Sequence, residues 1–225
     1  AGMPWQETIT FDNNLENLVV QAGDTEDIVQ AMPDETTVIT LDGGNPTTSP
    51  GDLLAFDALG ASSMVNTGSA FQFPLEPLQT VNYSNFESFG VRNANLTIQG
   101  TAGDDTLTVY VEDGPSANGW YELVTPAPGG GTQTQTVVFI NLQSFYFDAL
   151  GETTGDTMVL GDGPINRPTP DLDATWTLSA LAADQGSLAV NTMAVPFDVI
   201  DVENLTGGVA GVTVFLQNGA SLTGP

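Results

Sequence analysis

Catalysis requires groups that attack carbon or move protons, and this sequence has no histidine, no cysteine and no lysine. Triad, thiol, Schiff-base and zinc–histidine chemistries therefore have no residues to carry them. What remains is a pair of carboxylates flanking a scissile bond, as in glycoside hydrolysis, where two acids stand about 5 to 9.5 Å apart. With 28 Asp and Glu among 225 residues, some such pair is always available, and spacing alone assigns none. Trp120, Tyr121 and Trp176 are the aromatic side chains suited to a sugar platform. They occupy alternating positions in strand-like runs, where aromatics more often belong to a core. The chain is read as a non-enzyme.

The charge balance narrows the partners. Arg92 and Arg167 are the only basic side chains, and the formal net charge is −26. Nucleic acid is excluded, because phosphate binding needs clustered Lys or Arg, and anionic membrane surfaces are disfavoured for the same reason. So few cations cannot neutralise so many carboxylates, which must be dispersed, screened by salt or bridged by metal. A high-salt habitat would account for the same acidity through solvation. With no cysteine, neither disulfides nor thiolate metal sites hold the fold. No apolar run reaches transmembrane length, and Ala1-Gly2-Met3-Pro4-Trp5 lacks the basic and apolar regions of a leader. A start at Ala1 is read as processing or as a segment of a longer chain, and together with the Thr, Asn and Gly content it points to export.

The elements that must position any site are strands. Thr8-Ile9-Thr10-Phe11, Thr37-Val38-Ile39-Thr40-Leu41 and Thr106-Leu107-Thr108-Val109 alternate with β-branched residues. Asp42-Gly43-Gly44-Asn45-Pro46 and Asn118-Gly119 are turn signals. Helical evidence is confined to at most one turn near Ala180 to Ala183. Residues 57 to 77, with Phe71-Gln72-Phe73 set between small residues and prolines, read as a surface excursion. Val81 to Val111 is echoed elsewhere: Leu15-Glu16, Phe86-Glu87, Leu142-Gln143 and Val202-Glu203 each precede a strand-like run, and Gly-Asp-Thr turns recur at Gly23 and Gly155.

Repetition of this kind implies units that bury apolar faces against neighbours. The expected fold is all-β, an irregular β-solenoid-like stack of about four degenerate modules. The alternative is two β-sandwich domains broken near Glu112 to Gly119. The modules are drawn as 1–80 with its surface excursion, 81–135 as the central module, 136–170 as a third module with a Pro-rich linker, and 171–225 as the C-terminal module. The recurring Glu16, Glu87 and Glu203, with Gln143 in register, suggest a hydrogen-bonded ladder along stacked modules, since Gln and Glu both accept hydrogen bonds.

Gly100-Thr101-Ala102-Gly103-Asp104-Asp105-Thr106-Leu107-Thr108 resembles the nonapeptide of the haemolysin-type calcium-binding (RTX) family, although Thr101 stands where that family has glycine and no tandem copies follow. Trp176-Thr177-Leu178, Gly186-Ser187-Leu188 and Val202-Glu203-Asn204-Leu205-Thr206-Gly207-Gly208 resemble the repeat modules of giant secreted bacterial surface and adhesin proteins. The first resemblance implies that Asp105, beside Asp104, ligates Ca2+, with Gly100 and Gly103 forming the turn. Calcium takes six to eight oxygens, so Asp156 and Asp24, the equivalents by register, would have to contribute. The competing reading is that these aspartates cap turns through backbone amides.

The expected function is an extracellular or cell-surface structural protein, a subunit or segment of a self-assembling fibre, surface layer or adhesin stalk. Its partners would be other copies of itself, joined head to tail through β-edges: Thr8, Ile9, Thr10 and Phe11 at one end, Val212, Val214 and Leu216 at the other. The alternative is a calcium-dependent glycan- or cell-surface-binding adhesin module.

Overall fold

The computed structural model describes residues 14–45, 51–111, 118–150 and 155–161, together with the strand backbones at 174–179, 185–190, 197–200, 204–206 and 212–217. Among these residues there is no helix. Nineteen strands form two sheets that do not close, one of eleven strands and one of eight.

The chain begins by alternating between the sheets. β1 (Asn17–Gln21) lies in the first, β2 (Ile28–Ala31) in the second, β3 (Val38–Asp42) in the first and β4 (Leu53–Asp57) in the second. Each pairs in parallel with the strand two before it, β1 with β3 and β2 with β4. The next move is different. β5 (Met64–Asn66) leaps over two strand positions in the first sheet, and β6 (Ala70–Gln72) and β7 (Val81–Ser84) step back antiparallel until β7 lies beside β3.

This leap and return occurs three times. β8 (Ser88–Arg92) and β9 (Asn95–Gln99) alternate sheets, then β10 (Thr106–Val111), β11 (Gly119–Pro126) and β12 (Thr132–Ile140) zigzag back through the second sheet to β8. β13 (Ser144–Asp148) and β14 (Thr157–Leu160) alternate again. β15 (Ala174–Ser179), β16 (Gln185–Val190) and β17 (Phe197–Ile200) then zigzag through the first sheet, before β18 (Asn204–Thr206) and β19 (Val212–Gln217). All antiparallel pairing lies inside the zigzags, and all pairing between them is parallel.

The recurring corner seen in the sequence sits in this path. Phe86, Leu142 and Val202 each lie two residues before β8, β13 and β18, which are five strands apart and belong alternately to the second, first and second sheets. The repeating unit is thus five strands long and changes sheet at every copy. Leu15 lies two residues before β1 and is out of this phase. The proposed Glu/Gln ladder is split by the same exchange: Glu16 and Gln143 border the first sheet, Glu87 the second.

The core lies between the sheets because alternate side chains of both point inward. Phe56 of β4 meets Phe71 of β6 at 4.4 Å between ring centroids, Tyr83 of β7 meets Phe89 of β8 at 5.1 Å, and Phe139 of β12 meets Phe145 of β13 at 5.7 Å. One contiguous cluster of buried residues runs from Ile39 to Leu160. The excursion expected over residues 57 to 77 enters this core instead. Met64, Phe71 and Phe73 are buried there, and burying each such side chain is worth roughly 2–3 kcal/mol. The boundary drawn between residues 135 and 136 falls inside β12, and β10 pairs with β11 across the break suggested near 112–119.

Corners are locked by asparagine. Asn85, Asn93 and Asn141 follow strand ends at φ of 56°, 55° and 55°, a left-handed region that Asn tolerates because its short amide bonds locally. Asn141 Nδ2 donates to Asn93 Oδ1 at 2.8 Å, and Asn93 Nδ2 to Asp57 Oδ1 at 3.0 Å, tying successive strands of the second sheet together.

Candidate functional site

Among the described residues an acid directly precedes five strands of the second sheet, Asp27 before β2, Asp52 before β4, Glu87 before β8, Asp105 before β10 and Asp156 before β14, whereas Asn118 precedes β11 and Gly131 precedes β12. Asp27 N–H donates to Asp52 Oδ1 at 2.7 Å, Asp52 N–H to Glu87 Oε2 at 2.8 Å, and Asp105 N–H to Asp156 Oδ1 at 2.7 Å. Each carboxylate thus caps an amide of the neighbouring strand that the ladder would otherwise leave unpaired. Asp52, Asp105 and Asp156 are fully buried.

Of the four nominated metal ligands, Asp105 and Asp156 are stacked neighbours in this row. Asp104 is exposed, with its carboxylate lying over Gly155, where a Cβ would come within 2.0 Å of Asp104 Oδ1. Asp24 is exposed and outside the row; the pairing of Ile28 with Leu53 puts Asp27 there instead. The Asp105 carboxylate receives the Thr101 N–H and hydroxyl, which closes the Gly100–Asp105 turn. Among the described residues no group of three or more acids is disposed to hold a metal ion.

Thr8, Ile9, Thr10 and Phe11 lie outside the described residues, as does the turn at Ala180 to Ala183. Val212, Val214 and Leu216 lie on β19, the last strand of the first sheet, opposite Ala174, Trp176 and Leu178 of β15. Tyr121 is fully buried. Trp120 points to the outer face of the second sheet and stacks on Tyr110, with centroids 4.8 Å apart and 9° between planes.

The row of acids is interrupted between Glu87 and Asp105, because β12 and β11 are inserted between β8 and β10. Across three strand spacings, roughly 14 Å, no chain crosses between the sheets at this edge, and a cleft of about 460 Å³ opens there. One wall is the β11–β12 hairpin. β12 pairs with β8 only over Val137–Ile140, so Thr132–Thr136 runs past the sheet edge paired to β11 alone. The opposite wall is the end of β7 with the β5–β6 turn at Thr67 and Gly68.

Beneath the cleft the apolar interior gives way to a hydrogen-bonded network, of which Tyr83 and Gln135 line the cleft and Asn66 and Tyr121 lie buried below it. Asn66 Nδ2 donates to Tyr121 Oη at 2.8 Å and to Gln135 Oε1 at 3.1 Å, Gln135 Nε2 donates to Tyr83 Oη at 3.1 Å, and the Tyr83 hydroxyl donates to Asn66 Oδ1. Burial pushes both phenols well above the ordinary tyrosine value, so they act as neutral hydrogen-bonding groups. Thr125, 5% exposed, lines the cleft with an Oγ1 that has no hydrogen-bond partner in the protein.

Sequence reasoning missed this cleft. Its one local signal is the Thr132-Gln133-Thr134-Gln135-Thr136 run, which alternates like a strand but carries nothing apolar to bury. Compared with known proteins, the chain matches no family model, no curated protein and no solved structure.

Proposed function

We propose that this chain is an extracellular structural segment, an irregular β-solenoid-like stack that lengthens into a fibre, surface layer or adhesin stalk by adding further copies end to end. The observation that supports this reading is the edge geometry. Among the described residues, β1 and β19 of the first sheet and β2 and β18 of the second each have a strand on one side only. The edges of β1 and β2 belong to strands paired in parallel, and such edges present N–H and C=O groups that another copy's strand can pair with.

The charge of −26 makes like copies repel one another, so association by this route needs screening or a bridging cation such as Ca2+. Outside the cell both are available, which is why the acidity fits that location.

The test is negative-stain electron microscopy and analytical ultracentrifugation at low salt, at high salt and with millimolar calcium, each repeated after chelation. The expected result is regular linear or sheet-like assemblies that appear with salt or calcium. Monodisperse single copies under every condition would refute the proposal. Deleting residues 1–12 is expected to leave folded single copies, and assembly unchanged by that deletion would remove the N-terminal segment from the contact.

A further inference from the structure

We infer that the cleft between the two sheets is a binding site for a neutral oligosaccharide. Its volume of about 460 Å³ lies in the range of small-molecule sites, and its chemistry narrows the occupant. Gln99, Thr125 and Gln133 line it with amides and a hydroxyl that both donate and accept, the pairing that sugar hydroxyls require, beside Thr101 and Gln135, whose polar groups already bond Asp105, Gly103, Asn66 and Tyr83. Tyr83, Phe86 and Phe89 also border it, but as core side chains only 5%, 8% and 7% exposed they give an apolar margin and no open stacking platform, so recognition falls to the amides and hydroxyls.

Other ligand classes fit less well. No Lys or Arg lines the cleft, Glu87 does, and the chain is strongly acidic, so phosphates, uronic acids and sialic acids are repelled. A metal ion would find one carboxylate, with an oxygen already taken by Asp52 N–H. An apolar ligand would leave the glutamine amides unpaired, at a cost.

Two features mark the site as built. Tyr83 and Gln135, which line the cleft, are held in place from beneath by hydrogen bonds with each other and with the buried Asn66, itself bonded to Tyr121, which reduces the ordering cost of binding. The unpartnered Thr125 Oγ1 is a buried polar atom of the kind that native proteins rarely leave unsatisfied, and a ligand hydroxyl supplies its missing bond.

The inference is independent of assembly and is tested on dilute, dispersed protein. Neutral tri- to pentasaccharides of the cello-, xylo-, malto-, manno- and laminari- series are titrated, with 15N–1H NMR as the readout, alongside oligogalacturonate and a neutral hexapeptide pool. The expected result is saturable shifts at Thr101, Thr125 and Gln133 with at least one neutral series. Thr125→Val and Gln133→Ala are expected to weaken binding at least tenfold, with Thr125→Val melting no lower than wild type, because it removes an unsatisfied hydroxyl. The inference is overturned if no neutral sugar shifts these residues at 10 mM, if both folded variants bind as wild type, or if oligogalacturonate or the peptides bind there more tightly.

Discussion

Asp156 Oδ1 accepts the main-chain N–H of Asp105 at 2.7 Å, across the step from one strand of the second sheet to the next. Asp52 does the same for Asp27, and Glu87 for Asp52. An amide lying just before a parallel strand has no strand carbonyl to meet, and a carboxylate on the adjacent strand supplies the acceptor with the added strength of its charge. These acids therefore act in the ladder and cannot be counted simply as dispersed surface charge.

Removing one of these acceptors should be felt locally and specifically. Asp52→Ala is expected to cost about 1–3 kcal/mol by leaving the Asp27 amide without its partner, while Asp52→Asn, which keeps an acceptor oxygen, costs less than half as much. Urea unfolding of the two variants measures both, and equal losses would show that charge outweighs acceptor geometry at this corner.

Two glycines of the second sheet should respond in opposite ways. A Cβ at Gly119 would lie 2.1 Å from the Tyr110 carbonyl oxygen and 2.7 Å from the Phe139 ring, whereas one at Gly90 would meet open space. Gly119→Ala is expected to destabilise by about 2–3 kcal/mol through overpacking, and Gly90→Ala to stay within about 0.5 kcal/mol of wild type. Thermal melts of the pair decide it; a tolerated Gly119→Ala would refute the close approach of β10 and β11.

Acid sensitivity should include a contribution from Asp57. Its desolvation raises the carboxyl, but the Asn93 amide, the Leu59 N–H and the Arg92 guanidinium 2.9 Å away together outweigh it and hold the group below its ordinary value of 3.8. A lowered folded-state value means that the unfolded chain binds the proton more readily. The stability from this group is therefore complete above the unfolded value and is lost as pH falls through the folded one. Comparing melts of wild type and Asp57→Asn from about pH 2 to 6, the stability gap is expected to be constant above about pH 5 and to narrow below 3.8. A gap that widens on acidification would contradict the assignment.

Much of this architecture is legible residue by residue. Thr106-Leu107-Thr108-Val109 alternates because its Leu and Val face the core and its Thr residues do not, and the apolar–acidic corner at Phe86-Glu87 announces β8 two residues ahead. Phe71-Gln72-Phe73 is harder to read: its short strand sits among prolines and small residues, and its burial comes from Phe56 on the facing sheet and Tyr83 on the neighbouring strand. The cleft is harder still, since Asn66, Tyr83, Tyr121 and Gln135 come from four strands separated by up to 69 residues.

By itself the sequence determined the all-β character, the lack of any histidine, cysteine or lysine, the acidity, and the recurrence of an apolar corner, because composition and two-residue periodicity are local properties. Tertiary structure alone decided which strands pair. It set the leap-and-return zigzags, the exchange of sheets every five strands, the placing of Asp27 rather than Asp24 in the acidic row, and the gap between Glu87 and Asp105. The reason is physical: a strand's alternation specifies which face it buries, but its neighbour is chosen by loop length and by the fit of side chains across the sheet.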